Sequence, residues 1–169
     1  MAVDHLTLEI VTPAGAKLSE EVSELTAPSV GGEVGILPGH LPLLAALRPG
    51  IVTWKSKGGG GSAAVAWGFL EVSHGKASLL TDKYITKSDL DIVAVRAELK
   101  ELDKKIDFFE GSRATPEYTA LVNEELWCAA QMELHGDPPP PTVAYVAAYG
   151  AAPEEVSEGE GSEAAVKDH

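Results

Sequence analysis

The groups that could do chemistry in this chain of 169 residues are few and far apart. Its five histidines stand at positions 5, 40, 74, 135 and 169, with no pair at i, i+3 or i+4. No cysteine accompanies them, so nothing in the spacing builds the convergent ligand set a metal requires. The single cysteine, Cys128, excludes an intramolecular disulfide and cannot make a thiolate cage. Gly75-Lys76-Ala77-Ser78 looks like the end of a phosphate-binding loop. The upstream glycine spacing is missing and no helix pattern follows, so it reads as a hairpin turn. There is no Gly-x-Ser-x-Gly elbow, and no candidate nucleophile has a base nearby. The acid pairs Glu20-Glu21 and Glu124-Glu125 read as solvated faces rather than acid/base couples. The residues therefore point to no catalytic centre, no cofactor and no metal.

What the chain does specify is shape. Gly31 to Gly50 is dense in glycine and proline around an apolar run, and only His40 in it titrates near neutral pH. Glycine reaches positive φ and proline presets φ near −65°, so these spacings impose tight turns between short strands. Leu6, Leu8 and Ile10 alternate with Thr7 and Glu9 ahead of a Thr-Pro-Ala-Gly turn, the period of a half-buried strand. Further strands are expected at 22–27, 34–37, 43–47, 51–55, 63–67, 69–72 and 76–81, with Gly58 to Gly61 as a hairpin tip. Many short strands without helical patterns between them imply two packed sheets, a β-sandwich over residues 1–86.

A helical hairpin is expected over 87–136, making the fold mixed α+β. Ser88 with Asp91 three residues on forms an acidic variant of the capping box. Ile92, Val95, Leu99, Leu102, Ile106 and Phe109 then recur at heptad spacing, one narrow seam for a partner helix, and Gly111 stops it. Thr115-Pro116-Glu117 restarts a helix that runs to about His135 and ends at Gly136. Its stripe of Tyr118, Leu121, Val122, Cys128, Ala129 and Met132 is broader, with Glu125 in its middle. The short connection makes the helices antiparallel neighbours.

Net charge is −13, which argues against nucleic acid and against binding anionic lipid by charge. No run approaches the ~18 apolar residues of a membrane span, and no signal peptide is evident at the N-terminus. The charge is uneven. Residues 1–86 hold six basic and eight acidic groups, 87–135 six and eleven, and 136–169 one and seven. Residues 137–169, Pro-rich and then acidic, are expected to be largely disordered, with 142–149 apolar enough to dock somewhere.

Gly32-Glu-Val-Gly-Ile-Leu-Pro-Gly-His-Leu-Pro-Leu-Leu44, closing on Pro49-Gly50, resembles the epsilon-subunit family of bacterial F-type ATP synthases. The resemblance continues through Ala66-Trp-Gly-Phe-Leu-Glu-Val-Ser-His-Gly75, Ala77-Ser-Leu-Leu-Thr-Asp82 and Ser88-Asp-Leu-Asp91. It implies a non-catalytic central-stalk subunit at the cytoplasmic face of the bacterial inner membrane, peripheral and held there by its complex. It further implies that the subunit joins the gamma subunit to the c-ring, coupling proton transport to ATP synthesis. By the same resemblance Glu33 meets the loops of the c-ring, and His40 lies at the neighbouring surface towards gamma and the c-ring. For Glu33 the competing reading is an ordinary turn acid. For His40 it is a buried histidine satisfied by backbone groups.

In the family the hairpin can swing up along gamma towards the catalytic alpha and beta subunits, and in some members it binds ATP through an Asp-x-x-Arg motif. Here Asp91 and Arg96 are five residues apart, about 140° around a helix, so the motif is degenerate. The second helix has four Glu and no Lys or Arg, so an acidic partner would repel it. ATP sensing is therefore expected to be absent or weak. Two other classes compete: a free-standing β-sandwich adaptor for another protein, and a small enzyme holding phosphate in its Gly-rich turns. The latter needs a basic residue at a helix N-terminus, and the helix starts here are acidic.

Overall fold

Alternation makes Leu6–Thr12 (β1) a strand, with Leu6, Leu8 and Ile10 turned inward and fully covered. The computed structural model describes residues 5–139, and in it β1 is followed by Gly15–Val22 (β2), Glu24–Ser29 (β3), Gly32–Ile36 (β4) and Leu43–Leu47 (β5). Gly50–Lys55 (β6), Gly61–Val65 (β7), Gly68–Ser73 (β8), Lys76–Thr81 (β9) and Tyr84–Thr86 (β10) complete the strands. The expected disordered tail past residue 139, including the apolar stretch 142–149, lies outside the described residues.

The strands join in the order β10-β7-β6-β3-β5-β8-β9-β1-β2, with β4 paired to β3. The sheet folds over itself into a near-barrel sandwich. One half is β10, β7, β6, β3 and β4; the other is β5, β8, β9, β1 and β2. A single register pair, Ser29 opposite Leu47, links β3 to β5 between them. Every pairing is antiparallel except β1 with β9. Leu8, Ile10, Leu25, Ile36, Leu47, Val52, Leu70 and Leu79 fill the core from both halves. Gly68 is obligatory here, because a Cβ would run into the Leu80 carbonyl of the neighbouring strand. His74 and Gly75, both at positive φ, make the tight turn between β8 and β9, as the hairpin reading of Gly75-Lys76 expects.

Two strands go beyond the sequence expectation. β2 carries Lys17, Glu20 and Glu21 on a mostly exposed edge, so only its buried Val22 reads as strand. The expected strand 22–27 in fact breaks at Ser23, with Val22 ending β2. β10 has three residues and no periodicity to find.

Ile92–Asp107 (α1) and Pro116–His135 (α2) follow. The capping box on Ser88 is corrected: the N-cap is Asp91, whose carboxylate accepts from the Val93 and Ala94 amides at 3.1 Å each. Ser88 instead shares a hydrogen bond with Thr86 at 2.8 Å. α1 also ends at Asp107, four residues before Gly111, capped by Phe108. Its seam holds, with Val95, Leu99, Leu102 and Ile106 buried. Thr115 caps α2 through the Tyr118 amide, and Gly136 closes it in the left-handed conformation with φ 99°.

α2 has two buried faces. Leu121, Cys128 and Met132 meet α1, while Trp127, Ala130 and Leu134 pack on Ile51, Ala64 and Ile85 of the sheet. Ala64 and Ala130 are small enough to let helix and sheet approach. The hairpin thus lies against the sandwich, with α2 as the middle layer.

Candidate docking surface

The outer face of β5, β8, β9 and β1 carries apolar residues where alternation calls for polar ones. Val11 stands opposite Leu80, Leu80 opposite Phe69, and Phe69 opposite Ala46. The four therefore form one line across four strands. Phe69 is 56% and Leu80 49% exposed. With Val30, Pro13 and Trp67 they line a groove of about 630 Å³.

The next line across the same strands is Glu9, Ser78, Glu71 and Leu44. Lys76 pairs with Glu9 at 2.7 Å. Leu44, 71% exposed, ends this polar line, and Leu41, 79% exposed, and Leu37 stand exposed in the loop that precedes β5. An apolar strip beside a charged line is the composition of a protein-binding face, and contiguous apolar surface of this kind marks interaction sites. Among the described residues no group of histidine, cysteine and carboxylates could hold a metal.

The Gly-Pro segment shapes one border of this surface. The His40 amide donates to the Leu37 carbonyl at 3.0 Å, with Pro38 and Gly39 (φ 81°) between, a type II turn. His40 is exposed, and its Nδ1 lies 2.7 Å from the Leu41 carbonyl. The competing reading of a buried His40 is thereby corrected: the turn holds the ring out in solvent. Glu33 is also exposed, on β4 opposite Pro28. It stands on the half of the sheet that α2 covers rather than on the apolar line. The Glu133 carboxyl of α2 is raised above its ordinary range by partial desolvation, opposed by Arg48 and assisted by Glu33.

Asp91 and Arg96 are not brought together. Asp91 caps α1, and Arg96 pairs with Asp137 at 2.7 Å just past the end of α2. The acid pairs divide. Glu20 accepts the Trp54 indole at 2.9 Å and Glu124 pairs with Lys83 at 2.6 Å, both at partly open positions. Glu125, read as part of a solvated face, is buried at 3% exposure.

Sequence reasoning passed over the apolar line because its members sit inside predicted strands and look like core. The signal was present in the doublets Leu79-Leu80 and Leu43-Leu44 and in Phe69 beside Leu70. Two consecutive large apolar residues in a strand cannot both face one core.

The β-sandwich domain of the ATP synthase delta/epsilon chain matches residues 5–87 as a family model. The ATP synthase epsilon chain 2 of Syntrophotalea carbinolica is 37% identical over 101 residues, covering 60% of this chain and 73% of that protein. The ATP synthase epsilon chain of Rhodobacter capsulatus is 37% identical over 103 residues, covering 61% and 77%. A chain in the cryo-EM structure of the Euglena gracilis mitochondrial ATP synthase (OSCP, F1 and c-ring, rotational state 1) superposes with a TM-score of 0.62 at 20% identity, covering 81% of both chains. At that identity the superposition establishes a shared fold.

Proposed function

Because this chain belongs to the ATP synthase epsilon-chain family, we propose that it is a non-catalytic rotor subunit of the proton-translocating enzyme, joining the gamma subunit to the c-ring. The single observation that carries the docking assignment is the exposed line Val11-Leu80-Phe69-Ala46 with its polar neighbour line. Such a line stabilises a complex by leaving water, and its one ring, Phe69, makes a natural central anchor. We assign it to gamma. Glu33 and His40, both exposed, are assigned to the contact with the c-ring, His40 on the side towards gamma. A rigid sandwich between two partners passes torque because a close-packed core yields little under load.

Among the described residues no helix is long and apolar enough to cross a membrane. Membrane association then comes through the complex, at the cytoplasmic face of the bacterial inner membrane. Replacing Phe69 by Asp tests the gamma assignment. A lost anchor of this kind costs about 2 kcal/mol or more of binding, roughly thirtyfold in affinity. The variant should fail to copurify with gamma from solubilised membranes while keeping the far-ultraviolet dichroism of the wild type. Undiminished recovery with gamma would move the interface to another face of the sandwich.

A further inference from the structure

We propose that the chain beyond Pro139 folds back along the outer face of α1 and straps the two helices together. Arg96, Lys100, Lys104 and Phe108 follow one another at four-residue spacing and are all exposed, so they form a single row down the helix. The row beside it holds Val93, Ala97, Glu101 and Lys105, again all exposed. Val93 is 72% and Phe108 81% exposed. Phe109, by contrast, packs edge-on against Tyr118 with ring centres 5.2 Å apart. The two rows carry four cations and one carboxylate, with an apolar side chain near each end. The remaining acids of α1 lie off them. Asp103 and Asp107 run along one flank, and Glu98 is about 200° round the helix from Arg96.

Charge and the position where α2 ends select the occupant. Asp137, just past α2, pairs with Arg96 at 2.7 Å, and the Lys87 ammonium donates to the His135 carbonyl at 3.1 Å. The chain therefore leaves α2 at the first cation of the α1 row. Further along, Lys104 meets Glu101 at 2.7 Å, whereas Lys100 and Lys105 make no ion pair among the described residues. Residues 140–169 hold the apolar stretch Val143 to Tyr149 and then six carboxylates against one lysine. α1 offers both complements, apolar ends and a basic middle. α2, with four glutamates and no lysine or arginine, would repel such a segment.

The lengths agree. From Arg96 to Phe108 the helix rises about 18 Å. Pro138 to Pro141 and two further extended residues span about 19 Å at ~3.1 Å each, which brings Val143 and Tyr145 abreast of Phe108. Ala144 to Pro153 is then chain enough to return the glutamates over Lys100, Lys104 and Lys105. Each exposed ion pair is weak alone, but several contacts on one short tether reinforce one another. Because the segment grows out of α2 and grips α1, seating it ties the hairpin shut.

Zero-length carbodiimide coupling of lysines to carboxylates in the full chain, read by peptide mass spectrometry, tests this. We expect Glu154, Glu155, Glu158, Glu160 and Glu163 to link to Lys100, Lys104 and Lys105 in preference to Lys17, Lys57 and Lys76 of the sandwich. The yield should hold on dilution and fall several-fold in molar salt. Lys100→Glu with Lys104→Glu, both at exposed positions, should cut the links to Lys105 several-fold while keeping the wild-type far-ultraviolet dichroism. Tyr145→Ser with Tyr149→Ser touches no residue of the packed seam and should lower all of these links several-fold. Absent links, links shared evenly with the sandwich lysines, or a yield that falls on dilution, as when the segment sits on a second copy, overturn the proposal. So does a wild-type yield in either double variant.

Discussion

Cys128 shows how a residue with reactive potential becomes inert. Its side chain is fully enclosed between the helices, and burial followed by the Glu98 and Glu124 charges lifts the thiol to about 12. The thiolate is the nucleophile, so at pH 8 almost none forms. A thiol reagent added at pH 8 should label the native chain at least a hundredfold more slowly than the unfolded one, with labelling tracking denaturant unfolding; rapid labelling of the native chain would contradict the enclosure. The residue scale is also where the sequence was least transparent. Asp91 and Arg96 were legible as a degenerate pair once the family resemblance supplied the motif to compare their spacing with, and the structure adds that one is a cap and the other an ion-pair partner of Asp137. Glu125 was read both as the middle of the α2 stripe and as half of a solvated acid doublet, and its burial bears out the stripe. Burying a carboxyl requires a partner, and one sequence does not announce long-range polar pairs.

Elements with a strong period were read well, and those held by tertiary contacts were not. The α1 seam, the Thr115-Pro116 start and the Gly136 stop followed from local rules. β2 escaped because an edge strand satisfies itself with polar residues, and β10 because three residues show no period. α2 was half understood: its stripe predicted one neighbour, whereas it has two. The second contact packs Trp127, Ala130 and Leu134 on Ile51, Ala64 and Ile85, with Lys83 reaching over the Trp127 ring at 5.8 Å while binding Glu124. Both partners of that ion pair are partly exposed, so by itself it contributes only about 0.2–1 kcal/mol. Lys83→Met should therefore leave the melting of the sandwich nearly unchanged. It should still raise protease sensitivity between α1 and α2 several-fold in limited digestion, since an undocked hairpin exposes its connection. Equal digestion of variant and wild type would assign the docking to Ala130 and Leu134 instead.

For the molecule as a whole, the distribution of roles follows from where polar groups are already engaged. We propose that the hairpin does not sense ATP: Asp91 and Arg96 serve the helix end and Asp137, and α2 holds four glutamates without a lysine or arginine. Calorimetry with ATP and Mg²⁺ at millimolar concentration should give no saturable heat; micromolar binding would require a site elsewhere on the chain. The sandwich, by contrast, was recognisable from its turns, whereas its docking line needed the register of four strands to become visible. That register has a further consequence through the parallel pairing of β1 with β9. β1 has one flank covered at once by β2, whereas the other stays bare until residue 81 has been made. Such distant partners delay folding, since the intervening loop must close before any contact rewards it. Nascent chains released before that residue would carry a strand edge open to the wrong neighbour, so premature termination here yields an aggregation-prone fragment rather than a smaller working unit.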